Sequence, residues 1–257
     1  LFDKGDACNR VLILCDGAGG HGGGAEAAAA AIDAAEKLWE KSNEMIEDAP
    51  DFLRSWVKAA HKAVNEAGDG SGQKGRAVVV AAVVKEHVAY WVHAGDCRLY
   101  HLRGSEILKR TRDDSVVQVL YERGDIAEEE MGSHLDQNRL LQSLGGKEDP
   151  TPREDSGELL SGDRLLLCSD GLWEFLEKDE IALIGRSDSL AAELEKAVAE
   201  SISRAGDKAD NTSAAILRLN EVAGESPRPR RPTSALVIAL GLLNLTLLVL
   251  IILLLLR

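Results

Sequence analysis

Two hairpin patterns lie back to back near the middle of the chain, and they constrain its architecture more than any other feature. Ala77 to Val84 and His87 to His93 are β-rich runs joined through Lys85-Glu86, and Arg98 to Arg103 and Glu106 to Lys109 form a second pair turned at Gly104-Ser105. Adjacent hairpins build antiparallel sheets, which excludes a simple doubly wound parallel fold. Further strands are expected at Arg10 to Cys15, Arg164 to Cys168 and Ala214 to Leu219. Helices are expected from Gly24 to about Lys41 and from Asp51 to Ala67, the second with Phe52, Trp56, Ala59, Ala60 and Ala63 on its apolar face. Helical stretches also fall at about Ser115 to Arg123, Glu128 to Met131, Gln137 to Ser143 and Ser189 to Arg204. The class is α+β.

The C-terminal end carries a second strong pattern. Ala235 to Leu256 is an uncharged apolar run, long enough as a helix, about 33 Å, to cross a hydrocarbon core of about 30 Å. Arg228, Arg230 and Arg231 lie among prolines just before it. By the positive-inside rule, this predicts a single-pass C-terminal membrane anchor with the folded part on the cytoplasmic side. The expected organisation is a folded domain over 1–222, a Pro/Arg-rich linker over 223–234 and a transmembrane helix over 235–256.

A length of 257 residues with 45% hydrophobic content supports one sizeable core. The net charge of −13 argues against nucleic acid as the main partner, since phosphate backbones are gripped by clustered Lys and Arg. Cys8, Cys15, Cys97 and Cys168 show no paired spacing and read as reduced thiols, not as a disulfide framework or a zinc site. Gly70 to Gly75 matches a dinucleotide-binding glycine pattern but follows a helix and precedes a strand, the reverse of the required context. His87, His93 and His101 lack ligand spacing, and Trp39, Trp56, Trp91 and Trp173 read as core or rim.

Three aspartates stand at strand ends. Asp16-Gly17 follows Val-Leu-Ile-Leu-Cys, Gly95-Asp96 follows Tyr-Trp-Val-His-Ala, and Asp170-Gly171 follows Leu-Leu-Leu-Cys-Ser. Carboxylates gathered on one rim repel unless a cation sits between them, and oxygen ligands suit Mg²⁺ or Mn²⁺. Asp210-Asn211, just before the last strand, is a fourth candidate, while each Asp-Gly taken singly is also an ordinary turn. The glycines of CDGAGGHGGG, Cys15 to Gly24, free space and main-chain groups beside Asp16.

In order along the chain, VLILCDGAGGHGGGAEA, VHAGDCRLYHLRG, LKRTRDDSVVQVLYERGDI with DQNRLLQSLGG, DRLLLCSDGLWEFL and DNTSAAILRL resemble the motif series of the metal-dependent, type 2C (PPM) serine/threonine protein phosphatases. The resemblance runs from about Arg10 to Leu219. It implies an α-β-β-α sandwich of two antiparallel sheets flanked by helix pairs. It also implies hydrolysis of phosphoserine and phosphothreonine in proteins by a metal-activated water, without a covalent enzyme intermediate. The implied cofactors are two catalytic Mn²⁺ or Mg²⁺ ions and a third, weaker one. Asp16 would bridge the two, the carbonyl of Gly17 would add a ligand, Asp170 and Asp210 would complete the shell, and Asp96 would hold the third. Asn211 would orient Asp210 or a water, or form an Asx turn, and Gly171 would let backbone approach the cluster. The implied partners are phosphoprotein substrates and a cognate serine/threonine kinase, in signalling.

The chain departs from the family pattern in places. His21 stands at a different offset from Asp16 than the general-acid histidine of eukaryotic members, and Gly75-Arg76-Ala77 replaces a common Gly-Thr-Thr. The family's phosphate-holding Arg and Asn-Glu-Asp-like stretch would precede Leu1, so the sequence reads as a piece of a longer chain; Asp3 and Asp6 are poor substitutes by spacing. Two other readings stay open on the same fold, a catalytically inactive binding module and a phosphatase dedicated to one regulatory protein.

Overall fold

The computed structural model describes residues 2–3, 9–18, 23–42, 46–67, 75–208 and 211–220. Strands β1 (Phe2–Asp3) and β2 (Asn9–Ala18) precede helices α1 (Gly24–Lys41) and α2 (Ala49–Glu66). The two hairpins follow as β3 (Arg76–Lys85) with β4 (Val88–Ala94) and β5 (Arg98–Arg103) with β6 (Glu106–Arg110). Helix α3 (Val116–Arg123) and a 3₁₀ turn at Glu128–Ser133 lead to β7 (Arg153–Glu158) and β8 (Arg164–Cys168). The short helices α4 (Asp170–Trp173) and α5 (Lys178–Leu183), the longer α6 (Leu190–Ala205) and strand β9 (Ala214–Arg218) come last.

The strands form two sheets, ordered β1-β2-β3-β4-β7 and β6-β5-β8-β9. Every pairing in them is antiparallel. Strand β3 is buried on both faces, and its apolar run sorts by parity as a pleated strand must. Ala77, Val79, Ala81 and Val83 pack with α1 and α2, while Val78, Val80, Ala82 and Val84 face the second sheet. In β8, Leu165 and Leu167 join that inter-sheet core, and Leu166 and Cys168 turn outward to Leu172, Trp173, Ile181 and Ile184. Helices, two sheets and helices thus stack around three apolar cores.

Local chemistry explains the helix layer. Helix α1 presents Ala27, Ala31 and Ala35 inward, small side chains that let α2 come close, and Trp56 of α2 donates its Nε1–H to the Ala31 carbonyl at 3.0 Å. Helix α2 starts on Asp48, whose carboxylate accepts from the Asp51 N–H at 2.8 Å, with a proline in the first turn. Its buried face is Phe52, Leu53, Trp56, Val57, Ala60, His61 and Val64, whereas Ala59 is exposed, contrary to the expected face.

In the second sheet, Asp163 is a buried hub. It accepts from His101 Nε2 at 2.8 Å, from Arg103 at 2.7 Å and from the Leu160 N–H at 2.9 Å. Burial works against its charge, but these donors, Arg103 foremost, outweigh it and hold the carboxyl below its usual range.

Several expectations are corrected. Lys85 pairs with Val88, so the first hairpin turns at Glu86-His87, one residue later than expected, with Glu86 in the left-handed region at φ 54°. No helix forms over Gln137 to Ser143; Leu140 bridges to Ser115 and Leu144 to Ala77 instead. Strand β7, unforeseen, pairs along β4 from Val88 to His93. The expected membrane location is also corrected, because among the described residues no helix is long and apolar enough to cross a membrane. The run over 235–256 and the linker over 223–234 lie outside the described residues.

Candidate active site

Asp16 lies inside a strand rather than at its end. Strand β2 runs on to Ala18, with Asp16 opposite Val78 and Gly17 opposite Ala77. Past the undescribed residues 19–22, the chain enters α1 through Gly23, left-handed at φ 84°. A Cβ on Gly17 would stand 2.2 Å from the Gly24 carbonyl oxygen, and one on Gly75 would stand 1.8 Å from that of Gly23. The glycines therefore let the start of α1 lie directly against the strand that carries Asp16 and against the entry to β3. The Leu144-Gly145-Gly146 stretch reaches the same rim: Leu144 exchanges backbone hydrogen bonds with Ala77 at 2.7 and 3.1 Å, and the Gly145 N–H donates to His61 Nδ1 at 3.2 Å.

Asp96 sits in the bend between β4 and β5 and is buried. Gly95 turns the chain at φ 111°, and its carbonyl accepts from the Asp114 N–H at 2.8 Å. Asp114 is in turn held by Arg153 Nε at 2.7 Å. Its neighbour Asp113 takes a forked grip from Arg98, at 2.9 and 3.1 Å from Nε and 2.6 Å from Nη2.

Asp170 opens α4, and its Oδ1 accepts from the Gly171 N–H at 2.7 Å. The segment beside it is zipped to residues 211–213. Ser169 N–H donates to the Ser213 carbonyl at 3.0 Å, Ser213 N–H to Ser169 Oγ at 3.1 Å, and Thr212 Oγ1 to the Gly171 carbonyl at 3.3 Å. A Cβ on Gly171 would stand 2.9 Å from the Asn211 carbonyl oxygen, so only glycine admits this approach. Asn211 thus lies against the Asp170 turn, while Asp210 and His21 lie outside the described residues.

Electrostatics link the three described aspartates. The Asp96 carboxyl is held well above its usual range, first by burial and then by the negative charges of Asp170, Asp113 and Asp16. Burial also pushes up the thiols of Cys15 and Cys168, each to about 12, so both stay protonated and unreactive at neutral pH. Cys97 is raised as well, by burial and then by Asp96. Among the described residues no three His, Cys, Asp or Glu side chains close on one point as a finished metal site. The donor set nonetheless suits a hard dication: carboxylates that disfavour one another's charge, placed beside a main-chain carbonyl at Gly17.

No sequence pattern assigns a role to Arg98, Asp113 or Asp114. Their pairings join positions many residues apart, and spacing does not disclose them. The RTRDD run ending at Asp114 is their one visible sign in the sequence.

The family model for protein phosphatase 2C matches residues 2–211. The chain belongs to the protein phosphatase 2C family. Protein phosphatase PhpP of Streptococcus pneumoniae is 28% identical over 217 residues, 84% of this chain and 88% of that one. The crystal structure of the serine/threonine phosphatase Stp1 from Staphylococcus aureus has a TM-score of 0.73 at 26% identity, covering 83% of this chain and 85% of that one. The catalytic domain of the phosphatase PstP, solved with two manganese ions, has a TM-score of 0.71 at 27% identity, covering 82% and 88%. As a protein phosphatase 2C, the chain is an enzyme, a metal-dependent protein serine/threonine phosphatase using Mn²⁺ or Mg²⁺.

Proposed function

We propose that the chain removes phosphate from phosphoserine and phosphothreonine in proteins at the rim formed by Asp16, Gly17, Asp96 and Asp170, joined by Asp210, with the catalytic domain occupying residues 1–222. The observation that carries this reading is the burial of Asp96 beside the charges of Asp170 and Asp16, an arrangement costly to a protein unless a cation offsets it. Asp16, the Gly17 carbonyl, Asp170 and Asp210 would hold two ions and Asp96 a third. Bound there, such ions lower the pKa of water and neutralise phosphoryl oxygens, which is the chemistry phosphomonoester hydrolysis needs.

The chain's own residues supply order. Gly171 and Gly17, the residues that follow Asp170 and Asp16, admit the backbones of Asn211 and Gly24 directly beside them. The Ser169 to Ser213 zipper holds the start of the 211–213 segment, Asn211 included, against the Asp170 turn. In the cell this activity opposes a serine/threonine kinase and acts in signalling.

The test is phosphate release from a phosphothreonine peptide by the full-length protein in the presence of Mn²⁺. Steady turnover is expected. Mn²⁺ binding without phosphate release from any phosphopeptide would overturn the reading in favour of a binding module.

A further inference from the structure

We propose that Arg98 and Trp173 are positioning residues that clasp the Asp96 bend to the Asp170 helix and thereby set the affinity of the site for its metal. The inference rests on the reading of Asp96 and Asp170 as ligands, and goes beyond it by assigning their spacing to two other side chains.

Trp173 is the last residue of the four-residue helix that Asp170 begins, so one helical turn links the two. Its indole Nε1–H donates to the Asp96 main-chain carbonyl at 3.0 Å, a bond across 77 positions of sequence. A carboxylate carried on a bend takes its direction from the backbone under it, so this bond fixes Asp96 relative to Asp170. Arg98 wedges the indole in place: its guanidinium carbon stands 3.4 Å from the centroid of the Trp173 ring.

The wedge is itself immobile. Arg98 is 5% exposed and Asp113 1%. The fork to Asp113 satisfies one edge of the guanidinium, and Nη1 donates to the Tyr100 hydroxyl at 3.2 Å. Lysine can reproduce the charge but neither the fork nor the flat face that lies on the indole. Asp96, Arg98, Asp113, Asp170 and Trp173 thus form one connected unit spanning β5, the segment before α3, and α4.

The experiment is calorimetric titration with Mn²⁺ alone, on the parent chain and on Trp173→Phe, with Trp56→Phe as the matched control. Both substitutions remove an indole N–H bonded to a buried carbonyl at 3.0 Å, but Trp56 bonds Ala31 in the helix layer and not the Asp96 bend. We expect Trp173→Phe to weaken Mn²⁺ binding by about tenfold, the usual scale for losing a group that orients a metal ligand, with activity recovering as Mn²⁺ is raised. Trp56→Phe should lower thermal stability similarly and bind Mn²⁺ like the parent.

Parent-like binding by Trp173→Phe, or an equal loss in Trp56→Phe, would overturn the clasp while leaving the metal site standing. A parent chain that binds no Mn²⁺ would overturn both. If Trp173→Phe does not fold, Arg98→Lys decides: weakened Mn²⁺ binding by the folded variant supports the clasp, and parent-like binding overturns it.

Discussion

Asp170→Asn is expected to slow turnover of a phosphothreonine peptide by roughly a thousandfold at saturating Mn²⁺, a loss of about 4 kcal/mol of transition-state stabilisation. The amide is nearly isosteric and can still accept the Gly171 N–H that Asp170 holds at 2.7 Å, so the start of α4 keeps its local bond. What is lost is an anionic oxygen donor for a hard cation. The same change removes a negative charge that bears on buried Asp96. The metal-free variant should therefore unfold at the same temperature as the parent or a higher one. Initial rates together with melting curves in chelator check both halves. A slow enzyme that melts much earlier would mean that Asp170 acts through folding rather than through metal.

Gly95→Ala is expected to have the largest effect on stability. At φ 111° the residue occupies a region that side chains rarely adopt, and its added Cβ would stand 2.3 Å from Cγ1 and 2.5 Å from Cβ of Val78, near the start of β3. Backbone strain of about 1–3 kcal/mol and overpacking of about 1–3 kcal/mol together predict roughly 2–6 kcal/mol. Because Gly95 also positions Asp96, the surviving folded fraction should bind Mn²⁺ more weakly. Adding Val78→Ala should relieve only the Cγ1 contact, because the Cβ that alanine keeps would still stand 2.5 Å from the new one, so the double variant should remain well below the parent in a denaturant titration. A Gly95→Ala chain as stable as the parent would show that the bend can be rebuilt without glycine.

The contrast between Gly95 and Trp173 shows which parts of the site can be read from a sequence. Hairpins announce themselves through alternation and turn residues, so β5 and β6 lie where Gly104-Ser105 puts their turn. A buried strand such as β8 is legible as an uninterrupted apolar run. Strand β7 is not, because Arg-Glu-Asp-Ser-Gly-Glu at a sheet edge exposes most of its side chains and is held by backbone pairing to β4. The helix expected over Gln137 to Ser143 fails for a related reason. The backbone there is taken up by other segments: Arg139 accepts from the Val116 N–H, Leu141 donates to Asp114, and Leu144 exchanges bonds with Ala77.

Within the site, Asp16, Asp96 and Asp170 are visible as Asp-Gly or Gly-Asp pairs after apolar runs. The groups that hold them are not visible in that way. Arg98 finds Asp113, and Trp173 finds Asp96, only once two sheets and a helix are assembled. Trp173 reads as an ordinary core residue until the destination of its N–H is known.

These carboxylates are proposed to serve a metal on which phosphate hydrolysis depends. The direct test is phosphate release from a phosphothreonine peptide by the full-length protein, first with Mn²⁺, then after chelation with EDTA, then after Mn²⁺ is restored. Release should fall to background in EDTA and return with Mn²⁺. Release that continues undiminished in EDTA would contradict that dependence.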